Sequence, residues 1–534
     1  MSDDPQSGAA DPGQEATSKG RGKVEVSKRL LLVNSTSSVA ARILNISVLV
    51  WVQQYLLRRI SPEEYSLLPV VTSLMILVPL ISYALTSGFG RFVTAAYDEG
   101  RLDRVTSIVS TVLPVLATAA LLLLVVGGLA AYHVDSIVNV PPDRLWDARI
   151  MLGLLVSSAA LDLVVSPFVV GFDALQRFVL KNLLAVFSEL FRMALLTALL
   201  LAEGPRVIWV VASETAASMT LILTLQHLSR RWLPALRFDR AAIDWPSQRE
   251  LMTFSAWGFV VKTSSFVRTT LNPIILNRLA TPLDVACFHL GTIVTKQLQT
   301  IGRGAAAASA PMLTALFVRG ETEALKQAYL SGNRYSMWLS MAIASPLIAL
   351  APELFRLYAG ESYVLAGTIL TLSLMTFPPK YGTTMLPRLA SATATQRAYG
   401  LALVALQIID LALALMLTGS LRMGAYGVAI AGVISSWVVI PLLHVPIGAK
   451  LSGASLSEYF FQCIGRGMLP CLLALPALFA LRWVIQPSTW GSLFLIAAAG
   501  SVVYAVGLLT VALGAEDRAM LRALTSAGWK KVRP

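Results

Sequence analysis

Residues 105–132 read VTSIVSTVLPVLATAALLLLVVGGLAAY, a run without one charged side chain. A helix rises 1.5 Å per residue, so about twenty such residues cross the ~30 Å hydrocarbon core of a bilayer. Outward from this stretch, runs of the same kind recur along nearly the whole chain. They predict helices near 30–57, 65–89, 105–132, 147–172, 178–202, 206–228, 250–277 and 285–316. Six more follow near 331–350, 364–387, 400–420, 425–447, 464–485 and 490–514. These are spans one to fourteen below. The ninth is the weakest, because Asn333 and Arg334 stand at its start, and Pro346 and Pro352 are expected to mark its far end.

Composition points the same way. Of 534 residues 56% are hydrophobic and 14% charged, against about 25% charged in soluble domains, whose surface must face water. Alternating ten-residue strands, the pattern of a membrane barrel, are absent from the sequence. The fold class expected is therefore an all-α polytopic membrane protein of about fourteen transmembrane helices.

Basic side chains resist translocation and set orientation. Most of the 43 Lys and Arg fall in one set of loops: Arg91/Arg101/Arg104, Arg177/Lys181, Arg230/Arg231/Arg237/Arg240, Arg319/Lys326, Arg388/Arg397 and the tail around Lys530. That asymmetry predicts both termini in the cytoplasm. It also accounts for the net charge of +13 without nucleic acid as a partner. Met1 to Lys28 is polar and expected to be disordered, with no secretory signal ahead of the first span. Cys287, Cys463 and Cys471 show no metal spacing and the four histidines are scattered, so neither a metal site nor another cofactor is expected. No G-x-x-x-x-G-K-[ST] loop is present for nucleotide hydrolysis. The outer loops are short, which argues against an enzyme with an external catalytic domain.

An internal repeat organises the spans. At an offset of 220 residues, 58-RRISPEEY-65 meets 278-RLATPLDV-285, Gly100 meets Gly320, and Gln176-Arg177 meets Gln396-Arg397. A six-helix unit repeated in parallel relates two lobes by an axis along the bilayer normal, and substrate sites in such proteins lie between the lobes. The division expected is a disordered cytoplasmic segment 1–29, an N-lobe 30–228 (helices 1–6) and a cytoplasmic linker 229–249. A C-lobe 250–448 (helices 7–12) follows, then 449–534 with helices 13–14 and a cytoplasmic tail.

Charges inside spans cost roughly 2.5–3.5 kcal/mol each on insertion scales and usually face a partner or a wet cavity. Arg42 in span one lands on Lys262 in span seven under the 220-residue shift. Span seven also carries Arg268. Span eight sets Lys296, Gln299 and Arg303 on one stripe. Together they would form a cationic cavity fit for a pyrophosphate or acidic sugar. The plainer alternatives are that Arg42 snorkels to the interface and that 304-GAAAASA-310 serves close helix packing. Asp162, Glu214 and Asp410 could bind a proton or sodium ion during turnover, or neutralise a cavity cation. Glu189 and Arg192, three apart, suit an ion pair within one helix. Lys380 in 377-FPPKYG-382 sits where two prolines break a helix, at a candidate hinge.

The stretches 56-LLRRISPEEYSLLPVVTSL-74, 85-LTSGFGRFVTAAYDEGRLDRV-105, 173-DALQRFVLKN-182, 356-RLYAGESYVLAG-367 and 424-GAYGVAIAGVISSW-437 resemble the Wzx-type polysaccharide and O-antigen flippases. These belong to the multidrug/oligosaccharidyl-lipid/polysaccharide exporter superfamily. The resemblance implies two six-helix lobes opening alternately around a cationic cavity in a bacterial inner membrane. It implies an undecaprenyl-pyrophosphate-linked oligosaccharide as substrate, membrane lipids as surroundings, and a polysaccharide polymerase and chain-length regulator as partners. Fourteen helices rather than the usual twelve is a departure shared with the lipid II flippases of the superfamily. A lipid II flippase, a multidrug cation antiporter and a non-transporting scaffold of a glycan assembly complex are the alternatives. The abundance of Arg and Lys over carboxylates in the central spans argues against the antiporter.

Overall fold

In the computed structural model the described residues are 50–514, apart from 52, 76–77, 79–81, 83–88, 245–269 and 308, together with 517–518. Segment 1–29, most of span one with Arg42, most of span seven with Lys262 and Arg268, and the tail from 519 lie outside them. The described chain is helical, and ten of its helices are long and apolar enough to cross a membrane. They correspond to spans three to six and nine to fourteen.

Two spans depart from their expected form, and a third breaks at the prolines as expected. The ninth runs as one helix from Thr322 to Ala359, straight through Pro346 and Pro352. Each proline forfeits a single backbone bond, a loss that helix packing in a bundle tolerates. Its polar start is buried and largely paired, with Asn333 Nδ2 and Arg334 Nε left over. The Asn333 side chain accepts the Met385 amide at 2.8 Å, and Arg334 pairs with Asp517 at 2.6 Å. The eighth is not continuous: Pro282–Ala307 gives way to Ala310–Val318. The tenth falls into Val364–Leu374, Phe377–Gly382 and Leu386–Ala392. Pro311, Pro378, Pro379 and Pro387 each sit in the first turn of a new piece, where a missing N–H costs nothing.

The 220-residue repeat is visible in backbone detail. Ser61 caps the helix opening with Pro62, its hydroxyl accepting the Glu64 amide at 3.3 Å; Thr281 does the same before Pro282, accepting the Asp284 amide at 3.2 Å. The Glu64 carboxylate then accepts the Val207 amide at the start of span six (3.0 Å). The Asp284 carboxylate accepts the Ala425 amide at the start of span twelve (2.9 Å). Gly100 and Gly320 take φ of 74° and 72°, and Gly204 and Gly424 take 84° and 53°. These values favour glycine.

The two lobes touch unevenly. At the end of the bundle holding Arg58, Ser136, Arg278 and Tyr358, one hydrophobic cluster runs through both, from Leu56, Tyr65, Met151 and Val207 to Leu276, Val285, Phe355 and Leu370. At the other end the cores formed by the described residues are separate. Phe89, Val105, Phe168 and Leu236 pack in the first lobe, and Leu313, Tyr329, Leu389 and Tyr459 in the second. Hydrogen bonds joining described residues of the two lobes all lie at the first, clasped end.

Span six extends to Trp232, beyond its expected limit, and residues 233–244 then lie along span three instead of hanging free. Thr106 donates to the Ala235 carbonyl (2.8 Å), Ser110 accepts the Asp239 amide (2.8 Å) and Thr111 the Asp244 amide (2.8 Å). Leu233 and Leu236 are buried beneath this strap.

Candidate functional site

The second lobe holds a partly open pocket of about 80 Å³ with a mixed polar and apolar lining. Span eight supplies His289, Thr292, Lys296 and Gln299, spaced three and four apart so that they share one helical face. Asn272 of span seven, Thr295 of span eight, Ser373, Thr376 and Lys380 of span ten, and Asp410 of span eleven complete the polar lining. Thr376 lies at the break ahead of the Pro378-Pro379 turn and Lys380 just beyond those prolines. The interruption that lets the chain bend also presents an ammonium group to the interior, with Lys380 donating to the Thr376 hydroxyl at 2.8 Å. Asp410 is 2% exposed and accepts the Ser435 hydroxyl from span twelve at 2.7 Å.

Two lysines and a carboxylate around one small chamber can hold an anion, or a cation or proton shared with Asp410. The pocket is partly open and Lys296 is exposed, so a guest larger than the pocket can still reach its lysine. The pocket borders the seam between the lobes at His289, whose ring lies 6.1 Å from the ring of Tyr65 in the first lobe.

Among the site residues expected from sequence, Lys296 and Asp410 come together here, with Gln299 beside them. Arg303 continues the same helix, and its side chain lies outside the described residues. Asp162 and Glu214 do not join them. Asp162 is exposed in a first-lobe groove of about 450 Å³ with Ser166, Asp173 and Ser218. Glu214, also exposed, is one helical turn from Ser218. Glu189 and Arg192 form the expected ion pair, with the Arg192 Nε 3.1 and 3.2 Å from the carboxylate oxygens. Sequence reasoning missed Lys380 and His289 as lining residues. Lys380 was legible as a hinge, and a lysine at a broken intramembrane helix is itself a signal for a wet cavity. His289 gave no signal beyond its register with Lys296.

Comparison with known proteins places this geometry. The chain is 20% identical to the "Uncharacterized membrane protein EpsK" of Bacillus subtilis (strain 168) over 501 residues, covering 92% of this chain and 97% of that one. In fold it is similar to the lipid II flippase MurJ in an inward closed conformation (TM-score 0.68, 12% identity, 89% of this chain and 97% of that chain). It is likewise similar to an inward-facing multidrug resistance MATE family transporter of the MOP superfamily (TM-score 0.61, 12% identity, 80% and 99%). These likenesses establish the two-lobe fold. The sequence model described as "Polysaccharide biosynthesis protein" matches residues 30–317, more than half of the chain. The chain therefore belongs to the polysaccharide biosynthesis protein family of membrane proteins.

Proposed function

We propose that the protein is a flippase that moves undecaprenyl-pyrophosphate-linked oligosaccharide from the inner to the outer leaflet of a bacterial inner membrane by alternating access. The observation that carries this reading is the pair Lys296 and Lys380 at one chamber within a two-lobe transporter fold. Clustered ammonium groups suit a pyrophosphate, and burial of a polar chamber in hydrocarbon is costly unless it is used. Arg42, Lys262, Arg268 and Arg303 belong to the same proposed substrate path on sequence grounds. Asp410, hydrogen-bonded at the chamber wall, is the proposed site for a coupling proton or sodium ion, with Asp162 and Glu214 as first-lobe counterparts. The basic loops put the linker end in the cytoplasm, so the clasped end faces outward. The lobe limits proposed are 30–228 and 250–448, with 449–534 as the appended pair and tail.

The test replaces Lys296 and Lys380 with alanine in cells that depend on this gene for surface polysaccharide. The protein is expected to remain inserted while surface glycan falls about tenfold, the loss of ~1.4 kcal/mol of differential binding. Lipid-linked oligosaccharide should then collect on the cytoplasmic leaflet. Normal surface glycan overturns the reading. The acidic first-lobe groove with Asp162 supports a rival, a cation antiporter. In that case the double-alanine variant would export glycan normally and Asp162→Asn would abolish resistance to organic cations.

A further inference from the structure

Arg58 closes span one and Arg278 closes span seven, and the 220-residue shift superposes them. Each reaches across the seam into the opposite lobe, and each binds backbone carbonyls. Arg58 donates to Leu357 O at 2.9 Å and Tyr358 O at 3.3 Å. Arg278 donates to Ile137 O at 2.8 Å and to Ser136 O. Leu357 and Ile137 are themselves 220 residues apart, so the two contacts share one acceptor position about the pseudo-axis, with the second acceptor one residue after it in one lobe and one before it in the other.

The acceptors explain the choice of arginine. Leu357 and Tyr358 lie in the last turn of the Thr322–Ala359 helix, and Ser136 and Ile137 close the Val134–Ile137 turn. Carbonyls in a last turn have no partner within their own helix, and a helix C-terminus favours a cation. A guanidinium fork presents several donors in one plane and can bind two such carbonyls at once, which an ammonium group matches poorly.

Each arginine is backed by a separate clasp. On one side the Tyr358 hydroxyl donates to Val50 O (2.5 Å) and Gln54 to Tyr358 O (3.3 Å). On the other, Asn139 and Asn277 exchange side chain–backbone bonds of 2.7 to 2.9 Å. Both arginines are exposed to solvent, so their bonds exchange readily with water and can be broken and remade.

We propose that Arg58 and Arg278 form a two-point latch that holds the clasped end shut and must release for the lobes to part there. The latch requires only that the lobes separate, whatever the cargo.

The test places spin labels at Asp143→Cys and Ser362→Cys, exposed positions on opposite lobes at the clasped end, in a background with the three buried cysteines replaced. Electron–electron distance measurement in lipid nanodiscs then reads the seam without substrate, so its failure leaves the flippase reading untouched. Wild type should show one short-distance population. Arg58→Gln with Arg278→Gln should raise a longer-distance population about tenfold relative to wild type, each single variant about threefold, and the double lysine variant should fall between. An unchanged distribution in folded double variant overturns the latch. So does an effect carried by one arginine alone, and the single variants decide this if the double variant does not fold.

Discussion

The two lobes agree at their ends and disagree inside. Capping serine and threonine, helix-start carboxylates, left-handed glycines and seam arginines all recur at the 220-residue offset. The polar interior of the described residues does not. Lys296, Lys380 and Asp410 correspond to Ile76, Ala160 and Leu190, while Asp162 and Glu214 correspond to Gly382 and Ile434. Features that recur set helix starts and the seam, where the two lobes meet symmetrically. Features that do not recur line a chamber, where one lobe alone can carry the chemistry.

Five substitutions sharpen this contrast. The largest effect belongs to a contact with no first-lobe equivalent. Arg334 and Asp517 are 5% and 3% exposed, and Tyr335 donates to the same carboxylate at 2.6 Å. Arg334→Ala strands a buried carboxylate and should cost about 3 kcal/mol, read as a lowered melting temperature in detergent. Burial pushes the Asp517 carboxyl up, but hydrogen bonds from Tyr335, the Gly514 amide and Arg334 outweigh it and hold it below its ordinary value. Its stabilisation is therefore present above the ordinary carboxylate pKa of about 3.9 and is lost as pH falls through the lower folded value.

Next come the paired glycines. Both Gly204 and Gly424 have positive φ, but a Cβ at Gly424 would lie 2.6 Å from an Asp284 carboxylate oxygen, whereas nothing lies within 4 Å at Gly204. Gly204→Ala should cost about 1 kcal/mol, the conformational term alone. Gly424→Ala should cost about 2 kcal/mol, because the Asp284 cap is displaced as well. Equal melting temperatures for the two variants would break the account. The smallest difference is expected between Glu64→Gln and Asp284→Asn. Each weakens a charge-assisted bond to a helix-start amide, about 1 kcal/mol, and Glu64→Gln also gives up the 2.9 Å ion pair with Arg144, so its melting shift should be slightly the larger. A larger shift for Asp284→Asn would break this account.

Much of the fold was legible in the sequence, because hydrophobic length and turn residues are local signals. The repeat emerged from Pro62 and Pro282, Gly100 and Gly320, which set backbone geometry wherever they stand. Proline was the unreliable sign: Pro346 and Pro352 pass through an unbroken helix, whereas Pro311, Pro378 and Pro387 start new ones. The difference lies in packing around the freed carbonyls, which sequence does not display. In the candidate site, Lys296 and Gln299 announced themselves by sharing a stripe. Asp410 was flagged only by its depth, since its partner Ser435 is a hydroxyl among many. Arg334 looked like a defect because its partner stands far along the chain in the segment after the last span. The latch was invisible for a simpler reason: its acceptors are carbonyls, which every residue has.

The unbroken hydrophobic cluster at the clasped end carries a consequence for tightness. Parting the lobes there would wet apolar side chains at about 25 cal/mol per Å², a debt that closure of the opposite end can return by burying surface of its own. Two mouths joined in this way behave like a see-saw, and a passage open on both sides at once would bear the cost without the return. Such a carrier can turn over a bulky guest without opening a continuous leak across the membrane.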